Sequence, residues 1–274
     1  MLHLVCGCWK AEILPEGGAN IIRLQEGETD VLAPQRASNT DPFLVGSPLL
    51  FPANRTAGGS FRFEEKSYQL PVNEAKSGAH LHGLLHNEPF SVLEKTMSSA
   101  RLFYENREKI YPFPFQMEVF YLLTQWGLSS NYRLKNTGSR AMPYIFGLHT
   151  TFCEPESFSV PLALCQQRDE KTALPTGSYV PLSRREQSYC TGAASRNNVI
   201  SGYYKAAGNT ARIGDYVYHV TGFDHWVLYN AQGKAGILCV EPQKGGVNGL
   251  NLPDPPVLAP GESAVFETLL SRPE

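Results

Sequence analysis

The sequence predicts an all-β protein built as a large, mostly antiparallel β-sandwich. Three observations lead there: alternating apolar and polar runs, frequent turn residues, and a near absence of helical periodicity. The turn residues include 24 glycines and 20 prolines in 274 positions, well above average usage. Strands joined by short turns, with no helical layer to cover them, must bury their apolar faces against another sheet.

The clearest strand is 128–135. Leu128, Ser130, Tyr132 and Leu134 alternate with Ser129, Asn131, Arg133 and Lys135, the pattern of a half-buried strand. It ends at the turn signal Asn136-Thr137-Gly138-Ser139. Residues 117–123 are nearly all apolar, as in a strand buried on both faces. Trp126-Gly127 separates the two and predicts a hairpin. Further strands are expected at 60–64, 236–240 and 264–270. A single helical turn is expected at 183–187. Proline recurs too often for long helices. Segments 169–176 and 196–209 read as long surface loops. No stretch reads as a linker, so one domain over 1–274 is expected.

The charges nearly cancel, with 24 basic and 26 acidic residues. Nothing in that balance would hold a phosphate backbone, which argues against nucleic-acid binding. No run approaches the roughly 18 apolar residues of a membrane helix. Residues 1–10 carry no basic residue ahead of their short apolar stretch, unlike a signal peptide. The expected location is the cytoplasm, with the six cysteines as reduced thiols. Oligomeric state is not readable.

Four stretches concentrate polar groups suited to chemistry. Asn54-Arg55 precedes Thr56-Ala57-Gly58-Gly59, offering a planar donor fork for sugar oxygens or a carboxylate, or simply a surface turn. In Ala79-His80-Leu81-His82-Gly83, strand alternation would put both histidines on one face. With Glu88 they resemble a cupin metal set, but the spacing is one residue long and Pro89 follows directly. No metal site is therefore expected. Gly147-Leu148-His149-Thr150-Thr151-Phe152 sets a histidine among apolar residues, as a core imidazole or an acid. In Gly236-Ile237-Leu238-Cys239-Val240-Glu241-Pro242 an apolar strand ends in a carboxylate, solvated or else partly desolvated and poised as a base.

Taken in order, these stretches resemble the aldose 1-epimerase family, bacterial branch. The likeness begins at Ala11-Glu12-Ile13-Leu14-Pro15-Glu16-Gly17-Gly18-Ala19-Asn20 and continues through Pro48-Leu49-Leu50-Phe51-Pro52-Ala53-Asn54-Arg55. Tyr68-Gln69-Leu70-Pro71-Val72-Asn73, His80-Leu81-His82-Gly83, Tyr111-Pro112-Phe113-Pro114-Phe115 and Asn136-Thr137-Gly138 follow. His149 stands in G-L-H-x-x-F, and Glu241 in V-E-P followed by Asn248-Gly249-Leu250-Asn251.

The resemblance implies a galactose-mutarotase-like supersandwich, a concave site, a small-molecule sugar substrate and no cofactor. It implies Glu241 as general base and His149 as general acid. It implies His82 near the ring oxygen, and Arg55 with Asn54 on sugar hydroxyls. Phe51, Trp126, Tyr144 and Trp226 are aromatic faces on which a pyranose could lie, or ordinary core. The stretch that corresponds to the family's sugar-binding acid, Arg196-Asn197-Asn198-Val199-Ile200, carries no acid; either Asn197 and Asn198 take its place, or Asp224 does if the fold brings it near. The family's E-P-W is Glu241-Pro242-Gln243 here.

The expected function is interconversion of the anomers of a free hexose. Alternatives are a hexose 6-phosphate substrate, with Arg184, Arg185 and Arg196 as phosphate ligands, a non-catalytic sugar-binding protein, or a cupin-like metalloenzyme.

Overall fold

The computed structural model describes residues 1–35 and 41–273. Two large antiparallel sheets dominate it. The back sheet runs, neighbour to neighbour, Ser91–Lys95, Ser99–Asn106, Phe115–Thr124, Gly127–Asn136, Ser263–Ser271, Tyr216–Thr221, Thr210–Ile213 and Phe158–Ser159. The site sheet runs Pro175–Pro181, Leu162–Arg168, Ser201–Ala206, His225–Tyr229, Ile237–Lys244, Phe146–Leu148 and Leu49–Leu50. Thr151–Cys153 also pairs with Ile237–Lys244. A smaller sheet holds Leu2–Cys6, Trp9–Leu14, Asn20–Glu26 and Thr29–Asp30. This is the large, mostly antiparallel β-sandwich that the sequence predicts.

The sheets meet through aromatic side chains. Phe146 of the site sheet packs on Phe266 and Tyr132 of the back sheet, with ring centroids 4.7 and 5.9 Å apart. Such offset and edge contacts add to the burial of large rings, which supplies most of the gain on folding.

The 127–136 strand follows its sequence pattern, with Leu128, Ser130, Tyr132 and Leu134 buried. The two-residue turn at Gln125-Trp126 closes the expected hairpin onto Phe115–Thr124. Phe115–Thr124, however, buries one face only. Met117, Val119, Tyr121 and Leu123 are inside, whereas Glu118, Phe120 and Leu122 face outward. Of the outer apolar residues, Phe120 is shielded by Arg101, which lies 5.5 Å over its ring, and Leu122 is exposed. Trp126 is 69% exposed on the hairpin turn, outside the core.

The segment 196–209 is not simply a loop: Ser201–Ala206 is an interior strand between Leu162–Arg168 and His225–Tyr229. Gly202 and the polar ends hid it. Among the described residues, the one α-helix is Arg184–Ser188. Ser183 caps it, with Glu186 reaching back to the Ser183 backbone in a capping box.

The strand expected at 236–240 runs on as Ile237–Lys244, straight through Pro242. Proline cannot donate to a ladder. Val240 donates its N–H to Thr150 O at 2.9 Å, so alternation aims the Pro242 nitrogen the same way. On that side the neighbouring chain is interrupted between Phe146–Leu148 and Thr151–Cys153. The missing N–H thus leaves no ladder bond unmade, and Glu241 sits within the strand instead of at its end.

Gly127 has φ +145°, and a Cβ there would stand 2.0 Å from the Leu270 carbonyl oxygen. Gly127→Ala must therefore strain the ladder joining Gly127–Asn136 to Ser263–Ser271. The expected loss is about 2 kcal/mol of unfolding free energy. A urea midpoint equal to that of the wild type would contradict it.

Candidate functional site

Alternation along the site sheet sorts its residues between two environments. Leu238 and Val240, paired near Leu228, point into the sandwich. Cys239 and Glu241 point to the other face, where Glu241 stands opposite Val227. That face, with loops above it, encloses a cavity of about 510 Å³. Glu241, His149, His82, Arg55 and Asn54 all line it, beside Tyr203. Five residues from four distant stretches of sequence are brought together there.

His149 occupies the interruption described above, between Phe146–Leu148 and Thr151–Cys153. The same break that accommodates Pro242 therefore sets the imidazole beside Glu241. His149 Nε2 lies 3.4 Å from Glu241 Oε1, and both side chains are almost fully buried. Phe43 covers this wall, its ring 4.5 Å from that of His82 and 5.9 Å from that of His149.

Arg55–Ala57 pairs with Ala79–Leu81, Arg55 opposite Leu81. Asn54 and His82 follow at the same end of this ladder, both with positive φ, +59° and +63°. His82 donates its N–H to Asn54 O at 2.9 Å, and Asn54 Oδ1 accepts the Arg55 N–H at 3.0 Å. Gly83, next in line, is packed against the Phe51 carbonyl so closely that no Cβ fits. These two reversed backbones aim Arg55 and His82 into one cavity.

Arg55 is itself held. It donates through Nε and Nη2 to both carboxylate oxygens of Glu74, at 2.7 and 2.6 Å, and through Nη1 to Tyr203 Oη at 2.8 Å. Burial opposes its charge, but Glu74, together with Tyr203 and Glu241, outweighs burial and keeps its pKa above the ordinary value.

The family model for aldose 1-epimerase matches residues 10–271. The chain belongs to the aldose 1-epimerase family. It is 32% identical over 150 residues to YihR of Escherichia coli K12, a protein of uncharacterized function; the match is 54% of this chain and 48% of YihR. A second E. coli K12 protein, YphB, is 26% identical over 146 residues. The chain spans about half the length of the curated relatives it matches. Among solved structures, a galactose mutarotase-like protein from Clostridium acetobutylicum superposes with TM-score 0.90 at 22% identity, covering 98% of this chain and 93% of that one. Galactose 1-epimerase from Lactobacillus acidophilus superposes at 0.76 with 15% identity, covering 97% and 92%. At these identities the superpositions speak for the fold.

Two residues expected at the sugar site of this epimerase-family chain lie elsewhere. Trp226 is even-numbered in its strand and so points into the sandwich, 1% exposed, its ring 6.3 Å from Tyr218. Its Nε1 donates to Gly208 O. Asp224 accepts from His225 Nδ1 at 2.6 Å, Lys244 Nζ at 2.8 Å and the Gly245 N–H at 2.8 Å. It ties a strand end together and is absent from the cavity wall. Phe51 and Tyr144 are buried core.

The cupin-like grouping also fails. His82 lies past the end of its strand at positive φ, which breaks the alternation with His80. His80 Nδ1 bonds the Pro71 carbonyl oxygen, and Glu88 is held by Lys109 at 2.7 and 2.9 Å. A different trio does converge: donor atoms of His149, Cys239 and Glu241 all lie within 4.8 Å of one another.

Glu74, Tyr203, Phe43 and Arg168 were not anticipated as cavity residues. The ladder placing Glu74 beside Arg55 has three-residue strands, too short to show a period. Tyr203 sits in the strand that reads as a loop.

Burial raises the Glu241 pKa well above the ordinary carboxylate value, opposed by the nearby charge of Arg55. Burial pushes His149 down to about 4. Each group is thereby driven toward its uncharged form. His80, His82 and His86 are lowered too, His86 to about 4, again chiefly by burial.

Between the unfolded histidine value of about 6.5 and these lowered values, the unfolded chain binds more protons than the folded one. Stability is then lost as pH falls through that window. Glu241, raised on folding, works the other way, but it is one group against four. The urea midpoint should drop from pH 7 to pH 5, with up to roughly 1.4 kcal/mol per pH unit for each such histidine. A flat or rising midpoint over that interval would count against burial of these rings as neutral species.

Asp224→Ala should cost roughly 1–2 kcal/mol, charged hydrogen bonds discounted for a side chain 40% exposed, and leave sugar KM unchanged. A raised KM at unchanged stability would return Asp224 to the site.

Proposed function

We propose that this chain interconverts the α and β anomers of a free hexose by general acid–base catalysis, with no cofactor. The observation that carries the reading is the buried Glu241–His149 pair, 3.4 Å apart on the wall of a cavity large enough for a hexose. Family membership supports it.

Glu241 takes the proton from the C1 hydroxyl while His149 delivers one to the ring oxygen. The C1–O5 bond opens, the aldehyde turns about C1–C2, and closure on the other face returns both protons. Burial makes the ionised pair, a Glu241 carboxylate beside a His149 imidazolium, the scarcer form but also the more reactive one. A carboxylate with a raised pKa is a stronger base than a solvated one, and an imidazolium with a lowered pKa is a stronger acid. Arg55, anchored by Glu74 and Tyr203, and His82 orient the sugar, with Asn54 fixing the backbone from which both project.

Anomerisation needs no more than these two groups, each contributing typically 10²–10⁴-fold. An unphosphorylated sugar is favoured by the cavity's charges. Its acids include Asp41, Glu74, Glu170 and Glu241, against Arg55 and Arg168. Arg185 is bound to the Val199 carbonyl and Arg196 to Glu154. Neither they nor Arg184 line the cavity.

Polarimetry with freshly dissolved α-glucose and α-galactose tests the reading. Turnover should fall roughly 10²-fold or more in Glu241→Gln, with sugar binding largely kept, and similarly in His149→Asn. The double variant should be little worse than the poorer single one. Near wild-type turnover in Glu241→Gln would sink the assignment. Binding without turnover in the wild type would leave a sugar-binding protein.

A further inference from the structure

The geometry points to a binding site for a single zinc-like divalent cation formed by Cys239, His149 and Glu241, whose occupancy blocks the acid–base pair. The blocking rests on the function proposed above, but the binding does not.

Cys239 and Glu241 are two apart on one strand and so face the same side, while His149 enters from the interruption in the adjacent strand. Among the described residues this is the one group of three histidine, cysteine or acidic side chains whose donor atoms converge, all within 4.8 Å. All three are buried. Zinc binds imidazole and carboxylate at about 2.0–2.2 Å and thiolate at about 2.3 Å, usually tetrahedrally. Across a tetrahedral angle such bonds set nitrogen and oxygen about 3.4 Å apart. The distance from His149 Nε2 to Glu241 Oε1 is 3.4 Å. That is long for a hydrogen bond and suited to two ligands of one ion.

The surroundings support the same ligands. Thr151 Oγ1 lies 3.4 Å from Cys239 Sγ and 3.5 Å from His149 Nδ1, between the sulfur and the far side of the ring. Outer groups of this kind orient metal-binding side chains. A sulfur–nitrogen–oxygen set suits zinc or cobalt and not magnesium, which requires six oxygens. The fourth position opens on the cavity, since His149 and Glu241 both line it. An ion there occupies the lone pairs that would otherwise move protons.

The test uses the full chain freed of metal with a chelator, and the zinc ion alone as probe. Calorimetry should show one zinc bound per chain. Cys239→Ser should weaken it at least about tenfold, the lower end of what even outer-sphere changes cost. Cys8→Ser, which removes the exposed thiol, should not. Cobalt titrated into the wild type should give the intense visible bands of a tetrahedral site together with near-ultraviolet thiolate charge transfer. The charge-transfer absorption should vanish in Cys239→Ser and in Cys239→Ala. Turnover should fall as zinc fills the site and return with chelator, while Cys239→Ser turns over sugar normally and resists zinc.

No zinc binding, equal binding by Cys239→Ser, or weak octahedral cobalt spectra would overturn the site. Zinc that raises turnover of the metal-free protein would overturn the blocking. A metal-free wild type that turns over no sugar would sink the proposed function, and calorimetry and cobalt spectra would still decide the ion site.

Discussion

The alternation of side chains along Ile237–Lys244 is the constraint on which the rest depends. A strand packed on the back sheet through Leu238 and Val240 must send Cys239 and Glu241 the other way. A shift of one residue in its register would put a carboxylate in the aromatic core and a leucine in the cavity. The aromatic contacts between the sheets, Phe146 with Phe266 and Tyr218 with Trp226, lock that register from behind. Stability of the sandwich and placement of the candidate base are thus one packing problem.

The strand beside it solves a second problem at the same place. Pro242 cannot donate to a partner, and the neighbouring chain is broken where that donor would have reached. The residues that span the break, His149 and Thr150, are freed from regular pairing. His149 turns to Glu241, while Thr150 bonds back to Ser47 and Tyr218 at 2.8 and 3.0 Å. An irregularity in the ladder, anchored by buried hydroxyls, is what lets a histidine stand over a carboxylate one strand away.

Electrostatics at the cavity follow from depth. Glu241 and His149 lie where water cannot solvate a charge, so each is pushed toward neutrality. Arg55 remains charged in the same cavity because Glu74 takes two of its donors and Tyr203 a third. The ion pair neutralises the guanidinium locally while leaving it rigid, which suits the orienting role proposed for it.

Sequence by itself determined what local periodicity and turn chemistry encode. The strand at Gly127–Asn136, its hairpin, the capped turn at Arg184–Ser188 and the sheet-on-sheet class were legible because each depends on side chains adjacent along the chain. The ordered motifs also pointed to Glu241, His149, His82 and Arg55. What tertiary structure decided was direction and company. Trp226 and Val227 are neighbours in sequence, yet one packs in the core and the other lines the cavity, because parity depends on which face the partner sheet covers. Asp224 is close to the site strand in sequence order but is spent on Lys244 and Gly245. Glu74 and Tyr203 join Arg55 through short ladders and a strand that glycine disguises. Those pairings connect residues 19 and 148 positions apart, and nothing in the intervening sequence encodes a contact made only when the sheets close.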